Sequence, residues 1–579
     1  MKTKRKLIYK IAGVLLFALT AVGCNDFLEA VEPQGKEVSD AYMNVEANAE
    51  KVIVGLYELL SFTSGTGPDG LWIDNHYEFY MGSLASDDAD KGSSPTDYPD
   101  LQMVCTYQII PTNTLVQNFY LNGFWGVSRA NYVLYNIKDA PIKTAVKQRM
   151  EGEGHFFRAY WYFYLLRHYG GMPIFTEPVK AEDFGNVPRS SFTETMQFII
   201  DELNLAVELL PRKEEYLAKD LGRASKGSAQ GFLARVMLYR LGTDPEVNGS
   251  ETTWQALYDL TGEIISSGSY RLAPNFATLF EEDTDGGYRI ESLFEYTGKG
   301  GWGNSGKVFM DWMVQGVRGG SWFGWGFNQP TQNLVNAFDP TDPRLSSTVY
   351  GPYYNNGIIY GGLEPYDRSS SMMTDYYNRK VAVPGMNALL NGTSKAIIII
   401  RYADVLLMRA EAAYFTGKED EARNRVNEIR ERARNSSLCK GYEMGNPSGF
   451  PMPTTPPNIP NITSSGEQLL NDIWQERRLE LAFENFRTYD LIRTGRLVET
   501  VGKVKDDARA NGQGAGFTEA KEFQIAGIRQ NIIKSSLKVN VPDATGKRLG
   551  SDNGERYIPV FPIPNTEVSY WNIDPNPNN

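Results

Sequence analysis

VKQRMEGEGHFFRAYWYFYLLRHYGGMP, residues 146–173, decides the fold. Between Phe156 and Leu166 it is apolar nearly all round, Arg158 excepted. A helix on a protein surface carries one apolar stripe; a helix apolar on every side is enclosed by other elements. Gly170-Gly171 with Pro173 just beyond is a normal helix exit. Arg158 inside such a helix predicts an acidic partner, because an unpaired buried charge would cost several kcal/mol.

Helical patterns flank this stretch on both sides. Residues 118–137 place Trp125, Ala130, Tyr132, Val133 and Leu134 near helical spacing. Ser191 stands three residues before Glu194, a capping box opening a helix that runs to Leu210, with Pro211 closing it. Residues 222–239 carry Ala224, Ser228, Ala229, Gly231 and Ala234, small enough for close helix approach, and 254–267 follow. Residues 401–416 and 419–434, joined at Gly417, read as an αα-hairpin. Residues 468–483 form another amphipathic helix. Arg409 and Arg477, in mostly apolar helices, are expected to pair with acids as Arg158 does. Successive antiparallel pairs point to an all-α, tetratricopeptide-like helical repeat scaffold. The period is irregular, so a generic helical array fits the periodicity as well.

Between the helical blocks the character changes. Residues 276–399 are rich in Gly, Asn, Tyr and Trp and show little helical period, as an irregular insertion would. Residues 441–465 hold six prolines and read as a surface loop. The expected organisation is a signal peptide at 1–23, a tether at 24–45 and an N-terminal helical scaffold at 46–275. A variable, loop-rich ligand-binding insertion at 276–399 follows, then C-terminal helical repeats at 400–500 and a loop-rich segment at 501–579.

The start of the chain places it outside the cytoplasm. Lys2, Lys4, Arg5, Lys6 and Lys10 precede the apolar run 11–22, and Gly23 puts a minimal side chain before Cys24. That is a secretory signal, too short to span a bilayer. Residues 21–24 resemble the bacterial lipobox, in which the cysteine is lipidated and becomes the first residue of the mature protein. Net charge is −12, and removing residues 1–23, which carry five positive charges and no acid, makes the mature chain more acidic still. Such a body does not favour nucleic acid or anionic headgroups, so lipid supplies the membrane connection. Cys105 and Cys439 remain, either paired or as two free thiols.

Several motifs match chemistry by letters only. Gly301, Gly303 and Gly306 fit a glycine-rich phosphate loop with Lys307 next, but Val308 stands where magnesium needs Ser or Thr. The alternating stretch 292–297 could be a preceding strand, yet no strand–helix alternation surrounds it. Glu281, Asp283, Asp285 and Gly286 imitate a calcium loop whose twelfth position is Ser292, so calcium there would be incidental and no cofactor is expected. Asp87-Asp88-Ala89-Asp90 reads foremost as a solvated acidic turn, with a cation or sugar-hydroxyl site as the alternative. His76, His155 and His168 are the only histidines, and no zinc or nucleophile-elbow motif accompanies them.

Taken together, these segments resemble the SusD/RagB family of outer-membrane nutrient-binding lipoproteins of the Bacteroidetes. The resemblance is carried by 24–29 (CNDFLE), 124–132 (FWGVSRANY), 152–160 (GEGHFFRAY), 170–173 (GGMP), 188–191 (PRSS) and 222–227 (GRASKG). It continues in 401–412 (RYADVLLMRAEA), 476–481 (ERRLEL), Arg487, 490–493 (DLIR), 561–564 (FPIP) and 576–578 (NPN). Within 276–399 only Asp342-Pro343-Arg344 and 377–380 look familiar. Gly154-His155 departs from the family's usual Ala and Arg. The resemblance implies an all-helical fold of four tetratricopeptide-like units, with loops on one side forming a shallow site and no catalysis. It implies a protein lipid-anchored at the cell outer membrane, exposed at the surface, acting as a lid on a SusC-like TonB-dependent transporter. Its cargo would be glycan or sometimes peptide.

Sugar recognition suits this composition, with 33 Tyr and 10 Trp. Aromatic rings stack on the C–H faces of a sugar while polar side chains bond its hydroxyls. Trp302, Trp312, Trp322 and Trp325 lie in the Gly-rich insertion, and Trp72, Tyr77, Tyr80 and Tyr98 lie in 72–98. Trp302, Trp322 and Trp325, then Trp312, Trp72 and Tyr98, are the expected ligand contacts; each could instead anchor a loop in the core. The alternatives are a surface glycoside hydrolase, a peptide-binding member of the same family, and a helical scaffold that binds only protein.

Overall fold

A computed structural model describes residues 42–61, 78–93, 97–180, 183, 185–280, 287–296, 325–350, 374, 376–381, 396–439, 457–510, 527–541 and 554–576. Among the described residues the scaffold stacks α1 (Glu46–Glu58), α2 (Thr114–Ile137), α3 (Thr144–Tyr169), α4 (Phe192–Leu209), α5 (Lys226–Thr243), α6 (Trp254–Ser266), α7 (Tyr402–Phe415), α8 (Glu419–Asn435) and α9 (Gly466–Glu480). Packing follows chain order: α2 on α3, α3 on α4, α4 on α5, α5 on α6, α6 on α7, α7 on α8, with α9 against α7 and α8. This is the expected all-α, tetratricopeptide-like stack. Among the described residues no helix is long and apolar enough to cross a membrane.

Local chemistry starts these helices where the sequence places them. The Ser191–Glu194 capping box opens α4, Ser225 caps α5 and Thr253 caps α6. Each cap satisfies backbone N–H groups that the first turn leaves open. α5 therefore begins at Lys226, four residues later than its pattern suggests.

Every residue of α3 from Phe156 to Leu166 is buried. Phe156 and Phe157 meet edge to face, and both meet Phe294 of the insertion. Glycines let α2 reach this helix: a Cβ at Gly126 would lie 2.2 Å from the Trp161 ring. Arg158 is paired as expected, with Nε and Nη2 each donating to the Glu202 carboxylate at 2.7 Å and Nη1 donating to Asn131 Oδ1 and the Thr176 carbonyl at 3.0 Å. His155 Nδ1 lies 2.8 Å from the same carboxylate, so the departure at Gly154-His155 feeds the Arg158–Glu202 pair. Arg409 bonds Glu421, and Arg477 bonds Asp404 and Asp490.

Four antiparallel two-stranded ribbons appear among the described residues. They pair β1 (Ala89–Gly92) with β3 (Phe327–Pro330), β2 (Ser292–Tyr296) with β6 (Ile397–Arg401), β4 (Val349–Tyr350) with β5 (Tyr377–Asn378), and β7 (Ser536–Asn540) with β8 (Glu555–Pro559). The insertion leaves the stack after α6 and returns through β6 into α7. On the way Leu293, Phe294, Ile399 and Ile400 join the main core. The segment 501–579, expected to be loop-rich, also carries the end of the Leu497–Ala510 helix, the Ile528–Lys534 and Asn565–Trp571 helices and the β7/β8 hairpin. Phe561 N–H bonds the His168 carbonyl and the Arg189 guanidinium bonds the Asp574 carbonyl, tying this segment to the exit of α3. Of the two alternatives left open for Cys105 and Cys439, the structure has no disulfide between them, and both are buried.

Candidate ligand-binding site

Trp72, Tyr77, Trp302, Trp312 and Trp322 lie outside the described residues, as do Cys24, the glycine-rich 301–306 motif and the acidic 281–286 loop. The structure brings Trp325 and Tyr98 to one place. β1 and β3 pair with Ala89 opposite Pro330, Asp90 opposite Gln329 and Gly92 opposite Phe327. Trp325 stands two residues before Phe327, and Tyr98 meets the Phe327 ring edge-on with centroids 6.4 Å apart. Both are half-buried, whereas Tyr80 is fully buried core. Ser93 N–H bonds the Gly326 carbonyl at 2.7 Å and Ser93 Oγ bonds Asp97, fixing the turn that leads to Tyr98.

The ribbon and its support hold unusual backbone. Seven described non-glycine residues have positive φ: Ser93, Tyr98, Tyr107, Asn328, Phe483, Asn485 and Asn572. Ser93, Tyr98 and Asn328 lie on the ribbon or its exit. Phe483 and Asn485 lie in the turn after α9, directly behind it, where Asn485 Oδ1 accepts the Gly82 N–H at 2.7 Å. Side chains avoid this region of φ, and such strain persists where surroundings over-determine it and clusters at functional sites.

The acidic run 87–90 is not a solvated turn. Asp87, Asp88 and Asp90 are at most 2% exposed. Arg487 holds Asp87 through two bonds of 2.8 and 2.9 Å, and Arg478 Nε donates to Asp88 at 2.7 Å. Burial alone would raise the Asp87 pKa, but Arg487 and Arg478 outweigh it and hold the carboxyl well below the usual range. For Asp88 burial dominates and its pKa is raised. Among the described residues no group of three His, Cys, Asp or Glu could hold a metal.

A second charge cluster joins the insertion to the stack. Glu480 accepts from Arg344, Arg401 and Arg432. Arg401 also bonds Glu291 and Glu484; Arg344 also bonds Asp342 and Glu476. Lys380 reaches Glu484 at 2.6 Å, and burial pushes its ammonium down to about 8. Beside it a crevice of about 760 Å³, open mouth included, runs between α3, α5 and β6. Its rings, Tyr160, Phe163, Phe232, Phe280 and Phe483, are each at most 8% exposed, so their faces already serve packing and offer no open platform for a sugar.

A family model described as the SusD family matches residues 277–572. The chain belongs to the SusD family. A second model, described as starch-binding associating with outer membrane, matches residues 26–238. The SusD-like protein P38 of Formosa agariphila is 26% identical over 565 residues, covering 92% of this chain and 99% of its own. Two solved structures share the fold. One, a laminarin binding SusD-like protein, is 22% identical with a TM-score of 0.63, covering 92% of this chain and 99% of its own. The other is surface glycan-binding protein A from Bacteroides thetaiotaomicron in complex with laminarihexaose, 20% identical with a TM-score of 0.64 and the same coverage. Both solved structures are named for glycan binding.

Sequence reasoning missed the support of this SusD-family ribbon. Arg478 and Arg487 lie 390 and 400 positions from the acids they bond, and no local signal could have joined them.

Proposed function

We propose that this protein is a surface-exposed outer-membrane lipoprotein that captures an oligosaccharide and delivers it to a SusC-like TonB-dependent transporter. The observation that carries the reading is that Tyr98 and Trp325 flank the same end of the β1/β3 ribbon, beside Phe327. A half-buried ring keeps one part in the core and leaves another for ligand. Trp302, Trp322, Trp312 and Trp72 remain proposed contacts on the segments that lead into it. The starch-binding description of the N-terminal half and the laminarin-binding relatives support a glucan as the first ligand to try.

Native electrophoresis through gels containing laminarin or starch, with calorimetry on laminarihexaose, tests this. Trp325→Ala is expected to cost about 1–3 kcal/mol of binding, the worth of one stacking ring. Tyr98→Ala should lose less, since its edge already contacts Phe327. A wild-type protein that no glycan retards, across a panel extending to charged and branched polymers, would refute glycan capture. A peptide that binds instead would make it a peptide-capturing member of the family.

Anchoring rests on the signal and Cys24. Cys24→Ala should carry no acyl label and should leave the membrane fraction entirely. Acyl labelling that survives the substitution would refute the anchor. A tethered binder moves nothing across a membrane, so import needs a channel. Crosslinking in intact cells is expected to capture an outer-membrane barrel.

A further inference from the structure

We infer that Arg478 and Arg487 are positioning residues of the ligand site, setting the pose of the β1/β3 ribbon from the scaffold through Asp87 and Asp88. The inference rests on the proposed ligand site; the placement of the ribbon itself does not.

The acids form a joint between three elements. Their side chains bond the scaffold: Arg487 grips Asp87 with both carboxylate oxygens engaged, and Arg478 reaches Asp88 at 2.7 Å and Asp87 at 3.0 Å. Their carbonyls bond the start of the element after β3: Thr331 Oγ1 donates to the Asp87 carbonyl at 2.7 Å, and Thr331 N–H donates to the Asp88 carbonyl at 2.9 Å. Arg478 also crosses the ribbon directly, donating to Asn333 Oδ1 at 2.6 Å. One guanidinium thus fixes both the β1 side and the β3 side. Thr488 Oγ1, next to Arg487, bonds the carbonyl of Met81, in the Glu78–Leu84 helix that precedes β1.

Geometry, more than stability, is what such an arrangement supplies. The two arginine side chains are 9% exposed and the two acids at most 2%, so desolvation offsets much of the attraction. What the forks fix is direction, because a planar guanidinium bonds two acceptors at set angles and an ammonium does not. The positive-φ residues on the ribbon and in the turn after α9 need this restraint, since strained backbone persists only where its surroundings hold it. Tyr98 and Trp325 flank the same end of the held ribbon, where Gly92 pairs with Phe327, so a change in its tilt moves both rings together.

Arg478→Lys keeps the charge and loses the fork. Amide hydrogen exchange of the full chain is expected to speed up at least tenfold at 89–92 and 327–330, with α2, α3 and α4 exchanging as in wild type. Arg487→Lys should act alike. Asn333→Ala, which leaves every ion pair intact, should loosen 327–330 alone and covers the case in which an arginine variant fails to fold. Mobility in laminarin and starch gels should shift toward that of the unbound protein in all three. Exchange unchanged at the ribbon, or raised equally in α2–α4, would overturn the positioning role. Faster ribbon exchange with unchanged retardation would overturn its link to ligand. A wild-type chain that binds neither polymer would instead refute the glucan reading, with the exchange result standing by itself.

Discussion

Glu480→Leu is expected to destabilise the protein by about 3–5 kcal/mol, the usual consequence of stripping one partner from a buried charge cluster. Glu480 is fully buried on α9 and meets Arg344, Arg401 and Arg432 at once. Burial alone would raise its pKa, but the three arginines hold it well below the usual range. Removing it leaves three buried guanidiniums sharing Glu291, Glu476, Glu484 and Asp342. The shift in the denaturant midpoint measures the loss. Glu480→Leu with Arg432→Met returns the cluster to its wild-type net charge and should recover part of it, as coupled sites do. A single variant within 1 kcal/mol of wild type would mean that the cluster contributes little.

Gly126→Ala should cost about 3 kcal/mol by the opposite mechanism, overpacking. The added methyl would lie 2.2 Å from Trp161 Cγ and Cδ1. Those atoms are the base of the indole, so no rotamer change within the ring's plane clears them, and α2 must move off α3. Trp161→Leu in the same chain should recover stability that neither substitution alone retains. A Gly126→Ala protein that melts with wild type would refute the close approach of these helices.

Local signals carried much of the scaffold. The all-round apolar face of 156–166, the Ser191–Glu194 box and the Gly417 turn each specify an element within a few residues, and each stands in the structure. The misread parts depend on distant partners. The run 87–90 looks like a solvated turn because acids are normally solvated, until Arg478 and Arg487 arrive from the far end of the chain. In 501–579 the β7/β8 hairpin escaped because Lys538 and Asn540 alternate with Leu537 and Val539 over only a few residues. The partner strand 555–559 comes after fourteen intervening residues, and the turn signals between them, Pro542-Asp543 and Asn553-Gly554, are too far apart to mark one tight hairpin. At the site, composition marked Tyr98 and Trp325 as rings in loops. It could not say that they flank one end of a shared ribbon, because strand pairing between 89–92 and 327–330 leaves no trace in either segment.

α6 and α7 are packed neighbours although the whole excursion from 267 to 401 lies between them. Closing a loop costs conformational entropy that grows only with the logarithm of its length, about 0.6 kcal/mol for each doubling. Once the chain has gone out and come back at β6, further residues in the excursion weigh almost nothing against the stack. The segment proposed to read the ligand can therefore lengthen, shorten or change composition while the helices around it keep their fit. Natural variation in specificity is cheapest at this position in the fold.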